Sequence, residues 1–534
     1  MPSARGSLLL PLLAILAFVQ PPARAARAVD LDQATIADFN AAFDGGSLTA
    51  EALVRRFLAR IEAYDRKGPA LRAVMTLNPQ ALDTARALDA ERKAKGPRSP
   101  LHGIPIVLKD NFDTADLPTT GGSVLLEGSI PPDDAFVVRK LREAGAIVLA
   151  KVNLSEFASG GHWSSLGGQS LNPHDLTRSP SSSSGGTGVA IAAAYAVIGL
   201  GTDTSGSVRG PSSSNGVVGL KTTLGLVSRD GIIPLALSFD TAGPMARTVY
   251  DVAVTLGVMA GVDRADPSTA VSAGRAARDY TTFLKPDALK GARIGVARDF
   301  TGVDPEVDWL FEAALQTMRG EGATLIDVRF PKWFLDGKDE FLNAVRFPEF
   351  GPQVAAYLGS LGPSYPKTLD ELISRSRQFV APRPDGAMPN PPRWSMFERE
   401  ASSGSMTDPE YLAVHTHLLP AVRAIADGLL QAHALDAIVY PTAPQRPALL
   451  TEVAAGVSRS SARAWPIASL TGYPDLIVPA GFTSDRLPVA VSFLGPAFSE
   501  PTLLGLGYAF DQLTRARRLP RHTPALPGET VTVP

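Results

Sequence analysis

Ser179-Pro-Ser-Ser-Ser-Ser-Gly-Gly-Thr-Gly-Val-Ala-Ile-Ala-Ala-Ala194 and the run just after it, Gly201-Thr-Asp-Thr-Ser-Gly-Ser-Val-Arg-Gly-Pro211, are two Ser/Gly loops joined by an apolar, Ala-rich segment. No turn residue interrupts that segment between Val189 and Ile198, so it reads as loop, buried helix, short strand, loop. Gly and Ser let the backbone approach a ligand closely. The first loop opens a helix whose free N–H groups and positive dipole end favour a developing negative charge. The pair is therefore a candidate anion or oxyanion site, and the competing reading is a pair of flexible linkers.

Upstream, Leu101-His-Gly-Ile-Pro-Ile-Val-Leu-Lys109-Asp110-Asn111 is a short apolar strand that ends on a lysine. A lysine there either snorkels to the surface or is buried as a functional group. Thr49 caps a helix whose apolar residues Leu53, Val54, Phe57, Leu58 and Ile61 recur at helical spacing. A second helix spans Pro79 to about Lys95. From Asp134 a helix pattern runs to Gly145, and Ala146–Val152 reads as a strand. Helix followed by strand recurs at 303–320 and 323–328, so the fold class is α/β. Between Lys367 and Asp408 a Pro-, Arg- and Ser-rich stretch reads as an extended surface loop, and the basic, Pro-rich residues after Arg515 as a loosely held tail.

The two Ser/Gly loops and the segment Gly103 to Asp110 together resemble the amidase signature family, with its Gly-x-Pro-x-x-x-Lys-Asp motif and its two glycine/serine loops. The likeness is densest from about Gly103 to Asp251, and Gly225-Leu-Val-Ser-Arg-Asp-Gly-Ile-Ile-Pro234 and Asp240-Thr-Ala-Gly-Pro244 are most similar to the peptide amidase branch. The resemblance implies a central mixed β-sheet flanked by helices on both faces. It also implies a Ser-Ser-Lys catalytic triad: Ser207 as nucleophile, Ser183 as the bridging serine 24 residues before it, and Lys109 as the base 74 residues before Ser183. In the family fold the peptide from Ser182 to Ser183 is cis. Backbone N–H groups of Thr204, Ser205, Gly206 and Ser207 would form the oxyanion hole, with Asp203 and Arg209 holding the loop. The reaction implied is hydrolysis of a carboxamide through an acyl-enzyme, with a small-molecule or peptide amide as substrate, C-terminal peptide amides included, and neither cofactor nor metal.

Some positions depart from the family pattern. Ser181 and Ser182 replace two glycines, Ser205 replaces a glycine of the oxyanion loop, and Thr222 stands where a proline is usual. Side chains at 182 and 205 are expected to narrow the acyl pocket or strain the loops. The domain expected is residues 29–515, with a variable substrate-lining region at about 264–433 and the Pro-rich tail at 516–534.

The chain of 534 residues is 45% apolar and 19% charged, a globular balance, and its net charge of -2 gives no case for a nucleic-acid partner. The first residues read as a secretory signal: a basic start, an apolar run from Leu8 to Val19, and small-x-small sites with cleavage after Ala25 or Ala28. A membrane span needs ~20 apolar residues, so no stable insertion is expected after cleavage, and the mature protein is expected to be secreted or periplasmic. With no cysteine, thiolate nucleophiles and disulfides are excluded. No Gly-x-Ser-x-Gly elbow is present, Pro366 breaks the turn needed by Ser364-x-x-Lys367, and His415 and His417 are too close on a helix to face one metal. The rival functions are a secreted binding protein on a weakly active amidase scaffold, an amidase-fold esterase, and the cytoplasmic amidotransferase subunit that serves tRNA, which needs no export signal.

Overall fold

The computed structural model describes residues 26–455 and 463–534, so the signal-peptide reading lies outside the described residues. Its strands are β1 (Arg27–Asp30), β2 (Val74–Leu77), β3 (Pro105–Lys109), β4 (Ile147–Val152), β5 (Trp163–Ser164), β6 (Gly168–Gln169), β7 (Ile198–Asp203), β8 (Val218–Lys221), β9 (Thr241–Ala246), β10 (Arg293–Ala297), β11 (Thr324–Val328), β12 (Ala437–Pro441), β13 (Asp475–Phe482), β14 (Pro488–Leu494) and β15 (Thr530–Val533). Eleven of them form one sheet in the order β11-β10-β12-β14-β13-β8-β9-β7-β3-β4-β2. The sheet is mixed: β3 runs parallel to β4 and β7, and β10 to β11 and β12, while the strands between are antiparallel.

Every residue of β3, β4, β7, β8, β9, β12 and β14 is buried. Successive side chains point to opposite faces, so both faces of the sheet are covered. The amphipathic helix Ala50–Ile61 supplies part of that cover, capped by the Thr49 hydroxyl, which accepts from Ala52 N–H at 3.1 Å. The all-buried helix Gly185–Ala192 supplies another part, and it lies close to glycine-sized gaps: a Cβ on Gly186 would come within 2.3 Å of the Asn153 carbonyl oxygen.

Two expectations are corrected. The stretch 367–408 is not one extended loop, for it contains the helices Leu369–Ser376 and Pro391–Ala401. Pro391 and Pro392 sit in the first turn of the second helix, where no N–H is needed, and the Asn390 side chain caps it. Nor is the 516–534 tail loosely held. β15 pairs with β1 over four residues, and the fully buried Arg60 donates to Thr523 O at 2.8 Å and to Glu529 Oε2 at 2.6 Å.

Candidate active site

β3 and β7 are parallel neighbours, so their C-terminal ends reach the same edge of the sheet, where ligands of α/β proteins bind. Lys109 ends β3, and Thr202 and Asp203 end β7. The Lys109 side chain is wholly buried. Its Nζ lies 2.8 Å from Ser183 Oγ, 2.7 Å from Thr202 Oγ1 and 3.4 Å from Thr202 O. Asn111 Nδ2 donates to the same Thr202 hydroxyl at 3.0 Å. Burial lowers the Lys109 pKa to about 7, partly offset by the negative charges of Asp203 and Asp240. An amine of that kind is partly neutral near pH 7, and it lies within hydrogen-bond reach of the Ser183 hydroxyl.

Ser183 sits in the loop before the helix Gly185–Ala192, after a cis peptide from Ser182. Ser155 N–H donates to Ser183 O at 3.0 Å, and Ser184 N–H donates to Ser207 O at 3.1 Å. The second contact ties the two Ser/Gly loops together. Ser207 is 7% exposed, and its hydroxyl is left without a hydrogen bond among the described residues.

The loop from 204 to 208 is shaped by one carboxylate. Asp203 Oδ1 accepts from Gly206 N–H at 2.8 Å, and its Oδ2 accepts from Val208 N–H at 2.9 Å. The buried Arg209 returns to the same carboxylate, with Nη2 at 2.9 Å from Oδ1 and Nε at 3.1 Å from Oδ2. Burial alone would raise the Asp203 pKa, but Arg209 more than offsets it and holds the group well below the usual carboxylate range. The Gly206 N–H is therefore spent on Asp203. The N–H groups of Thr204, Ser205 and Ser207 have no such partner among the described residues.

The profile of the amidase family matches residues 52–504, a span that contains all of these groups. The chain belongs to the amidase signature family. It is similar to the peptide amidase of Stenotrophomonas maltophilia at a TM-score of 0.83 and 39% identity, covering 92% of this chain and 99% of that one. It is also similar to a probable amidase of Arabidopsis thaliana, 34% identical over 507 residues with 92% of each chain covered. A third relative, a glutamyl-tRNA(Gln) amidotransferase subunit of Halorhodospira halophila, is 37% identical over 501 residues, covering 91% of this chain and 98% of its own length. The amidase signature fold of the chain follows from these matches, and so does its class as an enzyme, a hydrolase of C–N bonds.

In this amidase Ser207 opens onto a cavity of about 270 Å³ that it shares with Ser182, Ser205, Leu342, Arg346 and Trp465. A second cavity, of about 410 Å³, shares Ser182 and Trp465 with it and includes His162, Ser179 and Arg446. Ser182 and Ser205 both line the first cavity, beside the nucleophile. Neither takes a positive φ; Ser181 does, at 64°, keeping the glycine-like backbone of the residue it replaces. Gly206 has φ 121°, and a Cβ there would meet the Trp465 ring at 2.6 Å.

Two residues of the site have roles that the sequence does not assign. Thr202 holds the lysine, and Asp240 accepts from Thr204 Oγ1 at 2.5 Å and from Leu235 and Ala236 N–H at 2.8 and 3.0 Å. Burial raises the Asp240 pKa to about 6 despite those bonds. Thr202 directly precedes Asp203 in the second Ser/Gly run, which was its one available signal. Among the described residues no group of three or more His, Asp or Glu side chains is placed to hold a metal ion, and no helix is long and apolar enough to cross a membrane.

Proposed function

We propose that the protein hydrolyses carboxamides through an acyl-enzyme on Ser207, with Ser183 and Lys109 moving the proton. The observation that carries this reading is the buried Lys109 amine, 2.8 Å from Ser183 Oγ, in a loop tied to that of Ser207. Neutral Lys109 takes the Ser183 hydroxyl proton as Ser183 takes that of Ser207. Ser207 Oγ attacks the amide carbon, and the oxyanion is met by N–H groups of Thr204, Ser205 and Ser207. Ser183 then protonates the leaving nitrogen, the C–N bond breaks, and water hydrolyses the ester by the same relay in reverse. The likeness to a peptide amidase favours peptide C-terminal amides among the substrates. The test is release of ammonia or amine from a panel of primary and substituted amides. Ser207→Ala should lower kcat by ~10³-fold or more. A panel with no product, or a Ser207→Ala rate equal to wild type, overturns the reading.

The Leu8–Val19 run and the small residues after it support export as part of the same proposal. β1 starts at Arg27 and pairs Arg27 with Val533 and Ala28 with Thr532. Cleavage after Ala25 preserves both pairs, whereas cleavage after Ala28 removes them, so the mature chain should begin at Ala26. Terminal sequencing of protein from the culture medium or periplasm checks this, and recovery of only the uncleaved chain from the cytoplasm would refute it.

A further inference from the structure

The cavity that contains Ser207 also contains Arg346, on the long helix Lys332–Gly359. Arg346 is 7% exposed and forms no salt bridge among the described residues. Its Nη1 donates to Ser159 Oγ at 2.9 Å, its Nη2 reaches only the Met396 thioether at 3.8 Å, and its Nε has no acceptor. The guanidinium stacks on Phe347, 4.5 Å from the ring centroid, and Arg399 stacks on the same ring at 4.6 Å. Arg393 is ion-paired with the buried Glu400 at 2.9 Å, and the charges of Glu400 and Asp240 reach Arg346 only through space, without a hydrogen bond. Arg463 lines the cavity as well, over the face of Trp465. The acidic side chain of the lining is Asp339, which is 53% exposed and lies 3.8 Å from Lys338.

Burying a cation with no carboxylate in contact is costly even with Glu400 and Asp240 acting at a distance, and an apolar side chain of similar volume would pack against Phe347 at no such cost. Aromatic faces offset part of that cost, yet of the in-plane donors only Nη1 has an oxygen acceptor, the Ser159 hydroxyl. Donors left open in the plane of a guanidinium match a carboxylate. Ser207 lines the cavity, so a substrate group attached to the scissile carbonyl can enter it, and the acyl part is assigned there as a step of the proposal. We propose that Arg346 is a specificity-determining residue of this amidase, which selects amides whose acyl part carries a free carboxylate. The inference rests on the hydrolase reading above and deepens it.

The test compares matched amides that differ in one group: glutaramate against pentanamide, with succinamate and adipamate to vary the reach, and N-acetylglutamyl amide against N-acetylmethionyl amide. Wild type should favour the carboxylate member of at least one pair by tenfold or more in kcat/KM. Arg346→Met should bring that ratio to within about threefold of unity, and Arg346→Lys should restore part of it. A binding arm is independent of turnover: glutarate, at matched ionic strength with sodium chloride as control, should raise the thermal midpoint of Ser207→Ala and not that of Ser207→Ala with Arg346→Met. Equal ratios in wild type and Arg346→Met, or a glutarate shift that survives Arg346→Met, overturn the proposal. Should no amide be hydrolysed while glutarate binds in an Arg346-dependent way, the hydrolase reading falls and the anion site stands. Hydrolysis of neutral amides with no glutarate binding gives the reverse result.

Discussion

Burial decides what Lys109 can do. In the unfolded chain its pKa is about 10.4, and in the native protein it is about 7. Between those values the unfolded chain holds a proton that the native protein has released, so stability rises with pH across this window, and below about 7 the buried charge opposes folding in full. Activity should follow the same group, rising through pH 7 as the amine becomes neutral. Lys109→Met should lower kcat by ~10²–10⁴-fold and remove that rise from the pH–rate profile. The same variant should be more stable than wild type in urea at pH 6, with the gap closing toward pH 10. A variant whose stability gap is constant from pH 6 to pH 10 would show that Lys109 is not the group being desolvated. At this scale the sequence was legible in part. An apolar strand ending in lysine left snorkelling and burial both open, and the family likeness, with the spacing of Lys109, Ser183 and Ser207, singled out these residues. Thr202 and Asp240 were not legible, because a hydroxyl that aims a lysine and a carboxyl that tethers Thr204 are defined by strand register and loop return.

The turn between β7 and the helix Arg209–Asn215 is fixed from both of its ends. Asp203 ends β7 and Arg209 opens that helix, so the five residues between them are clamped around a buried ion pair. Asp203→Asn keeps the shape but leaves Arg209 with only the more distant Asp475 at 3.5 Å. Breaking such a pair costs roughly 3–5 kcal/mol. Asp203→Asn should lose about that much in urea unfolding and also lose activity, because the Gly206 and Val208 N–H groups no longer share a carboxylate. A stability equal to wild type would mean that the pair does not hold the loop. The tail repeats this logic at longer range. Arg60 joins Thr523 O and Glu529 to Ala193 O at the end of the helix Gly185–Ala192, a natural site for a cation. Deleting residues 519–534 should therefore destabilise the protein by about 3–5 kcal/mol, and in the full chain the tail should resist limited proteolysis. Early cleavage of the tail under native conditions would refute its docking. Helices and strands with clean periodicity, such as Ala50–Ile61 and β4, were legible from their pattern. The tail and the helix Pro391–Ala401 were not, since proline-rich composition speaks for loops and their order comes from partners far away in the chain.

The whole molecule closes a mixed sheet of eleven strands under two-sided cover, and that depth of burial traps ionisable groups in opposite senses. Burial raises Asp65, Asp240, Asp251 and Asp511 to about 6, and Asp113 to about 7. An unfolded aspartate titrates near 3.9, so between about pH 4 and 6 the native protein holds protons that the unfolded chain has given up. Stability due to these groups falls as pH rises through that window. His174, which burial lowers to about 4, works against them over about 4 to 6.5, but it is one group against five. Above neutrality the sign reverses. Lys109 and Lys221, lowered by burial to about 7 and about 8, make stability rise with pH toward 10.5. Below pH 4 Asp203 and Asp266 lose the protection of Arg209 and Arg229, and stability falls with the pH. The sum is a profile with a shallow minimum near pH 6.5–7. Thermal midpoints should be a few degrees higher at pH 5 and at pH 9 than at pH 7, and Asp113→Asn, which removes a carboxyl poised near neutrality, should flatten the acid side of the dip. A single maximum at pH 7 would show instead that surface ion pairs outweigh the buried groups. The catalytic lysine thus belongs to a molecule-wide pattern: the burial that makes it a base also leaves the protein least stable close to the pH at which that base begins to work.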